Sequence, residues 1–379
     1  MALIALAACA EKTSPPPQVS VQPQAPAPAA PPASAAQPIV FPGFSLTAVS
    51  FADVPGWQVD RQSDALVALR RSCGKLAAQP ADRPVGANNI GGNAGQWRAA
   101  CAAAQTVKDS EARGYFEREF RAYRVQAADG KEGLFTGYYE PSLRGSKTKD
   151  GRYTVPIYRY PPDWNAKGGP YPDRTAIEAG ALAGKKLEIA WAESAIDVFF
   201  LQVQGSGRIE LPDGKTMQVG YAGDNGRKYV PIGRILIERG VYKPDEVSLQ
   251  SIRAWMDANP KQAPALMREN PRYIFFRVLE DGPVGAGGVA LVPGRSLAID
   301  PAFMPMGAPL WLDTTWPGSE TKPLRRLVIA QDTGSAIKGP IRGDVFWGPG
   351  AEAERTAGQM KQPGTYFLLL PTAVNAPGS

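Results

Sequence analysis

Three aspartates near the C-terminus share one setting, an acid at the edge of an apolar run with glycine or proline close by. They are Asp300 in Leu297-Ala298-Ile299-Asp300-Pro301, Asp332 in Ala330-Gln331-Asp332-Thr333-Gly334, and Asp344 in Gly343-Asp344-Val345-Phe346-Trp347. Each alone reads as readily as a turn residue or a cap; the repeated setting is what suggests a site. None of the 379 residues is histidine. Acid–base work therefore falls to Asp, Glu, Lys or Tyr, and a Ser–His–Asp triad and the usual zinc sites are excluded. There is no phosphate-binding loop, nucleotide glycine fingerprint or nucleophile elbow, so neither metal nor cofactor is expected. What remains is carboxylate chemistry beside aromatics and amides, a combination suited to sugars: rings stack on pyranose faces, and a protonated carboxyl donates to a glycosidic oxygen. Two acids sharing a pocket do not both ionise cheaply, so one can stay protonated near neutrality.

Upstream, the strand-like run Gly133–Pro141 carries Thr136, Tyr138 and Glu140 as candidate groove residues, although at least one of Tyr138 and Tyr139 should be packing, because strand neighbours face opposite sides. Ala195–Gln204 reads as a central strand with Gln202 and Gln204 on one face, suited to sugar hydroxyls. Ser206, in a Gly-Ser-Gly segment, is a further candidate substrate contact or a turn residue only. Lys338 stands between the two central acids and reads equally as a glycan contact or a solvated surface lysine. Asp300, followed by proline, reads as support.

The elements that must position these residues follow from periodicity. Helices are expected over 64–78 with Ser63 as cap, over 95–107, over 110–122 capped by Ser110, from Asp173 to Leu182, over 231–239, after Ser248, and before Asn270. Strands are expected at 153–160, 273–278, 289–292, 296–299, 309–312, 326–331, 343–346 and 365–370. Short strands at close spacing between glycine turns suggest a small closed barrel. A hydrophobic content of 44% allows an ample core, and the net charge of +6 is dispersed, favouring an anionic polymer while no nucleic-acid motif appears.

The N-terminus has another character. Leu6-Ala7-Ala8-Cys9 is the kind of small-residue run that ends a bacterial lipoprotein signal, with Cys9 as the acylated residue. The stretch before it is short for a signal and lacks a positive region, which leaves a late start or a chance match. Residues 10–42, rich in Pro and Ala, read as a disordered tether reaching about 100 Å if extended. Cys73 and Cys101 fall on apolar helical faces, either paired in an oxidising compartment or buried as thiols. No apolar run is long enough to span a membrane.

Three segments carry a family resemblance: Thr136-Gly137-Tyr138-Tyr139-Glu140-Pro141, Phe199–Arg208 (FFLQVQGSGR) and Gly220–Gly226 (GYAGDNG). With Asp300, Asp332 and Asp344 in AIDP, QDTGSAIKG and GDVFWG, they resemble the membrane-bound lytic murein transglycosylase A family and its C-terminal three-aspartate domain, over about 130–372. The resemblance implies a mainly β fold with peripheral helices. In it a double-psi β-barrel catalytic domain (43–145 and 276–374) carries a second small barrel inserted at 146–275. It implies that Asp344 is the single acid/base, with Asp332 as its partner, in non-hydrolytic cleavage of the MurNAc–GlcNAc β-1,4 bond of peptidoglycan to 1,6-anhydromuramyl products. Peptidoglycan strands are the implied partner, and cell-wall enzyme complexes stay open. No nucleic acid is implied, and membrane contact comes only through an N-terminal lipid anchor on the periplasmic side of a Gram-negative outer membrane. Two other readings remain: a non-catalytic wall-binding lipoprotein, and a two-carboxylate glycoside hydrolase using Glu140 or Asp332 as base.

Overall fold

A computed structural model of the chain describes residues 37–164, 171–280 and 282–375. Cys9 and most of the expected tether lie outside the described residues. The last part of that tether is a correction: β1 (Ile39–Phe41) pairs with β2 (Phe44–Val49), so folded chain begins before residue 42. Phe41 stacks on Phe44 at 4.9 Å, apolar burial that the preceding Pro/Ala run could not supply.

The three expected N-terminal helices form as α1 (Ser63–Ala77), α2 (Ala94–Thr106) and α3 (Ala112–Glu119). Leu66, Leu69, Cys73 and Leu76 give α1 its buried stripe, and Cys73 and Cys101 are joined in a disulfide that ties α1 to α2. The expected caps differ. Gln62 precedes α1, with Ser63 already helical, and Ser110 sits in a 3-10 turn. Helix α3 stops before Phe120, because Phe120–Ala127 alternates buried and exposed side chains and runs instead as β3.

β4 (Gly133–Glu140) then leads through Pro141 to β5 (Ser142–Ser146) and β6 (Val155–Tyr158). After α4 (Arg174–Ala176), where the Asp173 carboxylate accepts from Ala176 N, come β7 (Glu188–Ala192), α5 (Ala195–Gln204), β8 (Ser206–Glu210) and β9 (Thr216–Asp224). Helices α6 (Ile232–Glu238), α7 (Leu249–Ala258) and α8 (Ala263–Arg268) precede β10 (Ile274–Leu279). The remainder is β11 (Ser296–Ile299), β12 (Pro309–Thr315), β13 (Pro323–Thr333), β14 (Arg342–Pro349), α9 (Ala351–Gln359) and β15 (Lys361–Pro371).

Two expected strands are absent. Ala195–Gln204 is a helix, not a strand. Ser194 caps it by accepting from Asp197 N, and Gly205 ends it in the left-handed region at φ 79°. Its continuous apolar run is that of a helix buried on several sides, and periodicity alone cannot separate that from a buried strand. Gln202 and Gln204 therefore do not share a face. Residues 289–292 form no strand; with glycines at 282, 285, 287 and 288 they belong to an irregular strap crossing the outside of a barrel.

The strand order of the larger sheet is β1-β2-β3-β15-β12-β13-β11-β14-β4, and β4 also pairs with β15. The last six strands thus close into a barrel, with β11–β13 and β14–β4 parallel and the other pairs antiparallel. Phe135, Leu297, Ile299, Ile329, Val345 and Leu368 belong to one core that also takes in α1–α3. The second sheet has six strands in the order β10-β9-β8-β5-β7-β6, and a bridge from Arg159 to Phe276 brings its outer strands together. Helices α5–α8 pack in a separate apolar cluster beside it. The fold is mainly β, a closed six-stranded barrel and a second six-stranded sheet with peripheral helices, in line with what the resemblance implied.

Candidate active site

Register brings the two central acids together. Asp332 on β13 and Asp344 on β14 both lie opposite Ala298 of β11, one on each side, and Asp344 also lies opposite Thr136 of β4. Residues in one cross-strand row share a face, so both acids and Thr136 point outward from the barrel, with backbones of the acids about 10 Å apart across two strand spacings. Ala298 between them is buried, 3% exposed. Tyr138, Leu291, Ala298, Ile337 and Phe346 form an apolar floor, with the rings of Tyr138 and Phe346 5.2 Å apart.

The two carboxyls are held differently. Asp344 Oδ1 accepts from the Thr136 hydroxyl at 2.7 Å, and no protein donor among the described residues reaches Oδ2. Both oxygens of Asp332 are occupied: Oδ1 accepts from Ala286 N (2.8 Å) and Thr333 N (2.9 Å), and Oδ2 from the Tyr138 phenol (2.8 Å). Burial pushes the Asp344 carboxyl from 3.8 up to about 6; the Thr136 hydroxyl and Arg342 hold it down, and Asp332 pushes it up. Burial also raises Asp332, against its three donors. The Tyr138 phenol is driven well above its ordinary range by burial, so it stays a donor.

The strap supplies one of the Asp332 donors. It lies so close to β13 that a Cβ on Gly285 would stand 2.4 Å from Gln331 O, and Gly287 N donates to that same carbonyl at 2.9 Å. Helix α1 fixes this region from behind: Gln331 donates to Ala68 O and Ser72 Oγ, and Arg71 donates to Ala290 O.

The other expected site residues divide into two groups. Thr136, Tyr138, Asp332 and Asp344 form one constellation. Asp300 is 4% exposed, accepts from Gly339 N at 2.9 Å, and has Lys338 Nζ 3.8 Å from its other oxygen, so it anchors the loop between the two acids. Lys338 itself is exposed on that loop. Glu140, 1% exposed, is paired with Arg208 at 2.9 Å where β4 leaves the first barrel, and its Oε1 has no hydrogen-bond partner among the described residues. Gln202 accepts from buried Arg174 at 2.6 Å, Gln204 accepts from Tyr139 N at 3.1 Å, and Ser206 is buried in register with Gly220. No hydrogen bond or ion pair among the described residues links any of these last four to either acid. Sequence reasoning missed Arg342, which donates to Thr136 Oγ1 at 2.9 Å. Its place two residues before Asp344 on one strand was the available signal. The strap was missed too, having been read as a strand.

A partly enclosed carboxyl raised to about 6, beside a second carboxyl fixed by three donors, is a general-acid site of the kind used on glycosidic bonds. The chain matches the MltA specific insert domain over residues 134–277 and the 3D domain over 295–370. It is 37% identical over 257 residues to membrane-bound lytic murein transglycosylase A of Escherichia coli K12, covering 65% of this chain and 68% of that relative. With the Vibrio cholerae protein of the same name the identity is 36% over 264 residues, covering 65% and 69%. Among solved structures it is similar to a membrane-bound lytic murein transglycosylase from Agrobacterium tumefaciens, with a TM-score of 0.77, 35% identity, and 86% and 97% of the two chains covered. It is also similar to E. coli MltA with bound chitohexaose, with a TM-score of 0.68, 28% identity, and coverage of 87% and 94%. The chain belongs to the membrane-bound lytic murein transglycosylase A family. It is accordingly an enzyme, a peptidoglycan-cleaving lytic transglycosylase.

Proposed function

We propose that this enzyme cleaves the MurNAc–GlcNAc β-1,4 bond without water, with Asp344 as the only acid/base. The observation that carries the reading is the asymmetry of the two acids: Asp344 is raised to about 6 and keeps one oxygen free, whereas Asp332 has both oxygens taken. The protonated Asp344 donates to the departing glycosidic oxygen as the C1–O bond breaks. The resulting carboxylate takes the proton of the muramyl C6 hydroxyl, whose oxygen closes on C1 to give a 1,6-anhydro ring. Because the nucleophile belongs to the substrate, its effective concentration is high and no second base is needed. Asp332, a buried neighbouring charge, raises the acid and fixes Tyr138.

A two-carboxylate hydrolase fits less well. Its base would have to be Asp332, whose oxygens are occupied, or Glu140, which is buried against Arg208. The glycan is read as lying along the face bearing Thr136, Tyr138 and Lys338, between a catalytic unit of 43–145 with 276–374 and an insert of 146–275. Strand membership supports that division: the first barrel and its extension draw on 39–140 and 296–371, the second sheet on 142–279. A relative that holds chitohexaose supports an amino-sugar chain as occupant. No helix among the described residues is long and apolar enough to cross a membrane. Tethering through Cys9 at the periplasmic face of the outer membrane is the proposed location, on the strength of the Leu6-Ala7-Ala8-Cys9 run and of relatives named membrane-bound. Asp344→Ala should lower release of anhydro-muropeptides by a factor on the order of 10² or more with an unchanged circular dichroism spectrum. Release at a near wild-type rate would refute the assignment.

A further inference from the structure

Arg342 stands two residues before Asp344, on the same face of β14, and makes no ion pair among the described residues. One of its terminal nitrogens donates to Thr136 Oγ1 at 2.9 Å; the other donates to Leu134 O at 3.2 Å and to Gly343 O, fixing the guanidinium plane against β4. A threonine hydroxyl has a single proton. With Arg342 donating into the hydroxyl oxygen, that proton has one neighbouring acceptor, Asp344 Oδ1 at 2.7 Å. The chain Arg342 to Thr136 to Asp344 therefore has a fixed direction. Without Arg342 the Thr136–Asp344 bond could reverse, with the carboxylic acid donating into the hydroxyl from Oδ1, its proton turned away from substrate.

We infer that Arg342 is a positioning residue which, acting through Thr136, confines the acid proton of Asp344 to Oδ2, the oxygen left free for the glycosidic oxygen. The inference rests on the reading of Asp344 as the acid. Its second consequence is electrostatic. The groups facing Asp344 are Arg342 on its own strand, Thr136 and Tyr138 on β4, and Asp332 on β13, with Lys361 of β15 lying beyond Thr136 in the same row. Arg342 is the cation that holds the Asp344 carboxyl down, against Asp332, which raises it.

The test is a set of pH–rate profiles on purified glycan strands for Arg342→Gln, Arg342→Lys, Thr136→Val, the double variant Arg342→Gln/Thr136→Val, and Asp344→Asn. Cleavage needs the protonated acid, so kcat/KM falls as pH rises through the Asp344 pKa, and this basic limb reports it. Arg342→Gln should lower kcat about tenfold with little change in KM and move the basic limb to higher pH by about half a unit or more. Thr136→Val should move it the same way. The double variant should lose little beyond either single change, because the two act in one chain. Arg342→Lys keeps the charge without the planar fork and should hold the limb near its wild-type position while kcat still falls. A rate loss in Arg342→Gln with the limb unmoved, or losses that multiply in the double variant, would overturn the relay while leaving the acid in place. Activity retained by Asp344→Asn would instead remove the acid assignment and the relay with it.

Discussion

Replacing Asp344 by asparagine should stabilise the protein above neutral pH while abolishing its activity. In the folded chain the carboxyl is raised from 3.8 to about 6, a difference of about 2.2 units, or on the order of 3 kcal/mol at 1.36 kcal/mol per unit. The sign follows from proton linkage. Between the two values the folded state binds more protons than the unfolded one, so stability falls as pH rises through this window. Below about 3.8 the penalty is absent, and above about 6 it is fully present. Asparagine is isosteric, stays neutral, and can still accept the Thr136 hydroxyl through Oδ1. The partly open position of Asp344 trims the gain, so about 1–3 kcal/mol is expected at pH 7.5. Calorimetry at pH 7.5 and pH 3.5 checks this: Tm should be higher by several degrees for the variant at pH 7.5, and the two proteins should converge at pH 3.5. An equal or lower Tm for the variant at pH 7.5, or a larger gain in acid, would refute the claim that the surroundings of Asp344 disfavour its ionised form.

Reducing the Cys73–Cys101 disulfide opens a loop with a sequence separation of 28 and should cost about 3–4 kcal/mol, read as a lower Tm in dithiothreitol. Gly285→Ala places a Cβ 2.4 Å from the fixed Gln331 carbonyl and should displace the strap, costing about 1–3 kcal/mol and lowering kcat as Ala286 leaves Asp332; unchanged kcat would show that this donor is dispensable. Asp332→Asn removes the charge that raises Asp344, so the basic limb of kcat/KM should move to lower pH, opposite in sign to Arg342→Gln. A limb moving upward would contradict that coupling.

Much of this was legible in the sequence, for reasons visible in particular residues. The acids could be found because each borders an apolar run, and the barrel strands because Leu327–Ala330 and Phe367–Leu370 are continuous apolar segments buried throughout. Helix α1 was legible from Leu66, Leu69, Cys73 and Leu76 at helical spacing. Helix α5 was not, because Val198, Phe199, Phe200 and Val203 favour strands in isolation. Its capping signals, Ser194 with Asp197 three residues later and Gly205 at its end, carried the correct information and were outweighed by composition. Strand pairing was not legible either. That Asp332 and Asp344 flank Ala298 depends on the register of β11 with β13 and β14, and that Thr136 joins them depends on β14 pairing with β4, a contact across 208 residues. The roles of Thr136 and Arg342 depend on the same pairing. Glu140 and Gln202 looked like sugar ligands because buried polar side chains need partners; here Arg208 and Arg174 supply them.

The central claim is that one carboxyl suffices because the nucleophile comes from the substrate. Digestion of purified murein in water enriched in oxygen-18, followed by mass spectrometry of the new glycan ends, tests it most directly. The account predicts muramyl ends one water lighter than reducing ends, with no label incorporated. Reducing ends carrying a single oxygen-18 would show that water is the nucleophile and would contradict it.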